Sequence, residues 1–382
     1  MKQTARIIST YSADVFGVCS ALFELGGMVV MHDPSGCNST YTTHDEPRWY
    51  DMDSMIYISG LSETEAIMGD DEKFISDIVS AANELHPEFI AVAGTPIPTM
   101  TGFDFSAAAR LIEKRTGIPA FGFTTTGMKS YISGASMALE AIAKRFVSRD
   151  AFPGLKPAVN ILGLTPLDFS LNGTDKSIKR VLEDAGFEVI SSWAMGSSLN
   201  EMRNAGDASV NLVVSNTGLG AAKALKEMFG TPYVVGVPYG QSYTELLISA
   251  LKTSAETGQN RIWKSDMFGE DIVIIGEGVQ SVSLASAIEL SICEGTKVLS
   301  PLECGAGILR KKDMLTPWEE DIEKNLGGAK IIIADPLFKP ICPDSAKFIS
   351  LPAESFSGRM FSTDIPDLVS GFNEFMEGVI KK

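Results

Sequence analysis

The sequence predicts a doubly wound α/β fold in three successive domains, on the strength of three observations. Short runs of β-branched and apolar residues recur along the whole chain. Most are continuous rather than alternating, as strands covered on both faces of a parallel sheet must be. Each run ends in a turn marked by Gly or Pro, and a segment of helical period follows it. Strand and helix thus alternate from end to end, the βα succession of a parallel sheet.

In chain order, the first third offers strands at 28–31, 55–59, 89–93 and 120–123, with helices at 71–85, 105–116 and 130–146. The middle third gives strands at 159–162, 188–191, 210–215 and 233–237, and helices at 176–185, 220–229 and 243–257. The last third gives strands at 272–275, 297–299, 331–334 and 347–351, and helices at 283–292 and 366–380. Residues 148–157, rich in Pro, Gly and charge, mark one boundary, and 258–271 mark the other. The expected units are therefore three Rossmann-like domains at 1–150, 151–265 and 266–382.

Composition narrows the function. With 45% apolar and 21% charged residues the chain is globular, and its length of 382 residues is ample for several cores. A net charge of −16 excludes the basic footprint that binding nucleic acid requires. The apolar stretch 13–31 carries Asp14, Glu24 and two adjacent glycines, so it reads as helix then strand and not as a membrane span. No signal-peptide core follows Met1, which predicts a soluble protein of the cytoplasm. Three histidines leave little room for a His-rich metal site, and five cysteines make a poor disulfide framework. Free thiols or soft-metal ligands remain.

The most informative stretch is His32-Asp33-Pro34-Ser35-Gly36-Cys37, just after the first predicted strand. Ligands gather at the carboxyl ends of strands in open α/β sheets. Pro34 and Gly36 are expected to fix a tight loop that presents the Cys37 thiolate, with Cys19 on the helix that feeds the strand. Two thiolates suit an iron–sulfur cluster better than a hard cation. On spacing alone, a buried apolar Cys19 and an incidental Cys37 fit as well.

The order Cys19 and then H-x-P-x-G-C resembles the N-terminal, cluster-binding domain of nitrogenase component 1 proteins. The likeness continues in register through Ser62 to Glu65, Met68 to Lys73, His86 to Val92 and Thr101 to Asp104. It resumes at Val159 to Gly163, Val210 to Val214, Phe229 to Tyr233, Ala334 to Leu337 and Phe356 to Gly358. The resemblance implies electron delivery by a separate iron-protein-like ATPase, in keeping with the lack of a phosphate-binding loop here. It also implies a [4Fe-4S] cluster shared between subunits, in a homodimer or with a related component 1 subunit. Cys19 and Cys37 would be its metal ligands, and Gly36 and Thr95 would stand beside it. Family members normally offer a third N-terminal thiol where this chain reads Ala93-Gly94-Thr95-Pro96, so four thiolates would come from two chains.

The departures matter as much. A cysteine that anchors the molybdenum nitrogenase cofactor is matched by Ser215, and the histidine at its other end by Pro352. No iron–molybdenum cofactor is therefore expected, and dinitrogen reduction is not the predicted reaction. The turn Ile275-Gly276-Glu277-Gly278-Val279-Gln280-Ser281 lacks the last glycine of a dinucleotide fingerprint and reads as a tight βα turn. Cys293, Cys304 and Cys342 read as ordinary thiols, with Cys304, in its glycine-rich turn, the best placed for a site. The expectation is a nitrogenase-like oxidoreductase subunit acting on an unidentified substrate. The alternatives are a scaffold for building a metal cluster and a cluster-free α/β binding protein.

Overall fold

The computed structural model describes residues 6–7, 13–36, 38, 46–148 and 157–380. Cys37 and most of the first linker therefore lie outside the described residues. The strands fall into three sheets, and every strand pairing is parallel. The first sheet has the order β2-β1-β3-β4, from β1 (Met28–His32), β2 (Met55–Ile58), β3 (Ile90–Gly94) and β4 (Ala120–Phe123). The second has the order β6-β5-β7-β8-β9, from β5 (Ala158–Leu162), β6 (Glu188–Ser192), β7 (Val210–Val213), β8 (Tyr233–Val235) and β9 (Arg261–Ile262). The third has the order β12-β11-β10-β13-β14, from β10 (Ile272–Ile275), β11 (Thr296–Ser300), β12 (Met314–Leu315), β13 (Ile331–Ala334) and β14 (Lys347–Ser350). Each order reverses beside its first strand, and that switch point opens a crevice at the strands' carboxyl ends.

Central strands such as β3, β5 and β10 are buried along their whole length, which is why they read as unbroken apolar runs. Two helices of the first domain pack closely against each other. A Cβ at Gly17 would overlap the backbone of Tyr131, and one at Gly134 would overlap that of Asp14. This approach brings helix Asp14–Leu22 against helix Tyr131–Phe146 and fixes Tyr131 at the start of the latter. Arg48 ties the first domain to the second: it is fully buried, pairs with Glu46 at 2.6 Å and Glu24 at 2.9 Å, and donates to the Ala194 carbonyl at 2.7 Å.

Two expectations about elements change. The helix expected at 366–380 spans only Phe372–Ile380. The Asp367 carboxylate takes its own loop's Val369 N–H at 3.0 Å and the hydroxyls of Ser177 and Ser370, which competes with helical pairing. This closing segment also returns to the second domain, where Phe372, Met376 and Val379 join its core. The other change is at the 283–292 helix, which starts earlier, at Gly278, with Glu277 as its N-cap.

Candidate functional site

Where the second and third domains meet, the carboxyl ends of their strands face one open cleft of about 680 Å³, solvent space at its mouth included. After β5 the chain makes a short turn, Pro166–Phe169, and presents Asp168. Thr165 donates to one oxygen of Asp168 at 2.8 Å, and the Tyr131 hydroxyl, from the first domain, donates to the other. Ser215, at the end of β7, also hydrogen-bonds Asp168. Burial, followed by the nearby Glu277 charge, lifts the Asp168 carboxyl to about 7.

Glu277 stands after β10, in the turn that the sequence singled out. It caps helix Gly278–Ile292 by accepting from Gln280 N–H at 2.9 Å. It also accepts from both the backbone N–H (3.0 Å) and the side-chain amide of Asn216, which follows β7. Burial raises its carboxyl, and these hydrogen bonds act against that rise. Asn216 reaches on to Cys304, whose sulfur accepts at 3.7 Å, and takes the Gly305 N–H at 2.8 Å. A Cβ at Gly278 would overlap the Cys304 sulfur, so glycine is required for this close passage. Asp335, after β13, is the third carboxylate of the wall; it accepts from Leu337 N–H, Ala353 N–H and the Ser357 hydroxyl, all within 2.9 Å.

Tyr239 completes the polar lining. It is 3% exposed, and its phenol makes no hydrogen bond with any described residue. The rest is apolar, with Phe169, Ile274, Leu284, Leu351 and Phe356 among the lining, and no Lys, Arg or His contributes. Chemically, such a cleft can hold a small organic molecule against apolar walls, and Asp168 can bind or release a proton near neutral pH.

The residues expected at the cluster are distributed differently. Cys19 sits mid-helix with its thiol sealed in the core, and burial and the Glu46 charge push that thiol well above its usual range. Cys37 lies outside the described residues, so no second thiolate is placed beside Cys19. Thr95 is buried, with its hydroxyl donating to the His32 carbonyl at 2.8 Å, a loop-fixing role. Gly36 is exposed, but the left-handed position of the loop is Ser35 (φ 86°), held by its N–H to Asp33 at 3.0 Å. Among the described residues, no group of three His, Cys, Asp or Glu side chains could hold a metal ion. Ser215 and Pro352 both belong to the cleft, the first through Asp168 and the second in its wall. Cys304 lies beside the cleft with its thiol raised to about 12 by burial and Glu277, whereas Cys293 is an exposed helix cap. Tyr131, Asp168, Asp335 and Tyr239 escaped the sequence reading. Only position after a strand end could have flagged Asp168.

Three α/β domains, each built on a parallel sheet, with an acid-walled cleft at the strand ends of the second and third, define a multidomain protein of the Rossmann-like class. The chain belongs to the nitrogenase component 1 type oxidoreductase family, whose model matches residues 15–289. One of the light-independent protochlorophyllide reductase subunits of Nostoc punctiforme is 29% identical over 45% of this chain and 36% of its own length. The nitrogenase iron-molybdenum cofactor biosynthesis protein NifE of Klebsiella pneumoniae is 22% identical over 68% of this chain and 64% of its own. These matches thus span between about a third and two thirds of the relatives' lengths. The solved structure "Nitrogenase Cp1 at pH 6.5" shares the fold, with a TM-score of 0.70, 17% identity and coverage of 100% of this chain and 95% of that one. Among the described residues no helix is long and apolar enough to cross a membrane.

Proposed function

We propose that the chain is a redox subunit of component 1 type whose substrate occupies the interdomain cleft. In this reading electrons come from a separate iron-protein-like ATPase, and the chain pairs with a second copy or a related component 1 subunit. The observation that carries it is the meeting of the second and third domains' strand ends at one cleft, braced by Tyr131 of the first domain, that contains a carboxyl able to exchange protons near pH 7. Reductions consume protons as well as electrons, so such a group is useful at the site. Ile67, Met68, Ile97, Met100 and Met128, on the segments following β2, β3 and β4, are exposed apolar side chains that a partner could cover.

The iron–sulfur part of the reading rests on Cys19 and Cys37, two thiolates from each of two chains. Anaerobic purification followed by iron and sulfide analysis tests it. Iron and sulfide should accompany the wild-type protein, persist in Cys293→Ala and vanish in Cys19→Ala and in Cys37→Ala. Reduction of that chromophore should need the partner ATPase and MgATP. Folded protein free of iron, or reduction equally fast without the partner, would overturn the reading.

A second reading, a scaffold for cluster assembly, is favoured by the likeness to NifE. The wall of the cleft speaks against it, since three carboxylates and no cation make a poor seat for an anionic metal cluster. Stoichiometric molybdenum or vanadium in the purified protein would favour the scaffold.

A further inference from the structure

The charge of the cleft constrains what enters it. Asp168, Glu277 and Asp335 are 7%, 5% and 1% exposed, and none of the three forms an ion pair with a described residue. Buried carboxylates are normally paired, because desolvating a charge without a partner costs several kcal/mol. Here the partners within the protein are neutral N–H and O–H donors only, and none brings a positive charge. Independently, the Tyr239 phenol is buried in the same wall and lacks a partner, within the electrostatic reach of both Glu277 and Asp168. That hydroxyl faces the cleft and is not sealed off, so a group entering the cleft can take up its hydrogen-bonding capacity.

A bare metal ion is the wrong occupant. The carboxylates are tied to different strand ends, and no three donors among the described residues converge on one point. The apolar lining of Ile274, Leu284 and Leu351 asks for a hydrocarbon body instead. Resting on the reading that this cleft is the substrate site, we propose that its occupant is an organic ammonium: a protonated nitrogen held by Asp168, Glu277 and the Tyr239 phenol oxygen, with an apolar body against the aliphatic wall. Anionic ligands, including carboxylate-rich tetrapyrroles and anionic metal clusters, are disfavoured by the same carboxylates.

The test is a calorimetric titration of the full-length protein at pH 7.5 (a value chosen so that Asp168 is mostly ionised) with three shape-matched probes: phenethylamine, 2-phenylethanol and 3-phenylpropionate. The ammonium should bind about ten-fold or more tightly than either of the others, as a desolvated charge pair is worth at least that factor. Asp168→Asn should erase most of that preference. Tyr239→Phe, which keeps the apolar body and leaves no hydrogen bond to a described residue broken, should weaken ammonium binding several-fold and serves if the first variant fails to fold. Ile365→Trp, at the cleft rim, should block all binding. Preferred binding of the carboxylate or the alcohol, still blocked by Ile365→Trp, would overturn the ammonium and leave the cleft as the site. Ammonium binding indifferent to Ile365→Trp would overturn both. No binding of any probe at millimolar concentration would overturn the ammonium proposal.

Discussion

One helix, Gly278–Ile292, carries a buried glutamate at each end, and the two are treated in opposite ways. Glu289, near its last turn, is fully buried but meets Arg310 at 2.8 Å and Lys312 at 2.9 Å, while Arg310 also holds Asp313 at 2.8 Å. Burial works to raise Glu289, but hydrogen bonds from Ser265, the Met267 and Thr296 amides and Lys312 outweigh it, and the carboxyl falls to about 2. Two acids and two bases cancel. Glu277, capping the first turn, has the helix N-terminus and Asn216 for company, and Asp168 nearby adds a like charge. Its carboxyl is raised. The first cluster is a closed knot that pins β11 and its loop. The second is left short of positive charge, which structural stability does not ask for and a ligand can supply.

Breaking the knot should have the largest effect. Arg310→Met leaves Glu289 and Asp313 buried with too little counter-charge and should cost about 3–5 kcal/mol in denaturant unfolding. Asp168→Asn, the matching change in the cleft, should be close to neutral or stabilising at pH 7, since it removes a repelling charge. If both cost alike, the distinction between the clusters fails.

The pH dependence is next in size. The native Asp168 carboxyl at about 7 lies above the unfolded value of about 4, so the native state holds this proton more tightly. The resulting stability is fully present below about pH 4 and is lost as pH rises through about 7, a change of up to about 4 kcal/mol. Glu277, Tyr131, Thr165 and Ser215 are the groups that set this value, with Tyr239 in the same field. Stability curves of wild type and Asp168→Asn, measured from pH 4 to 8 (a span chosen to bracket that change), should therefore converge or cross as pH rises; parallel curves would refute it.

The smallest effect is steric. Gly278→Ala should cost about 1–3 kcal/mol, because the new methyl meets the Cys304 sulfur and the Asn216 amide at 3.1 Å. Pairing it with Cys304→Ala should recover part of that loss. No recovery would mean that Asn216, rather than the sulfur, sets the limit.

The sheets were legible because their central strands are buried on both faces and so read as unbroken apolar runs, as in Val159 to Leu162 and Ile272 to Ile275. β9 and β12 were missed, being two residues each and too short to show any period. The site was far less legible. Tyr131 meets Asp168 across 37 residues and Asn216 meets Glu277 across 61, contacts made by domain packing that leave no local pattern. The Ile275 to Ser281 turn was noticed for its glycines, whereas its working residue is Glu277. Cys19 shows the reverse: its chemistry drew attention, and its helix face, turned to the core beside Ala135 and Leu139, decides its environment.

Central to the cleft's chemistry is the Asp168 carboxyl, which exchanges its proton near neutrality. Infrared titration of its protonated C=O band, assigned by difference against Asp168→Asn, measures this directly. The midpoint should lie near 7 in the free protein and move lower when phenethylamine is added. A midpoint near the ordinary value of about 4, indifferent to the amine, would contradict it.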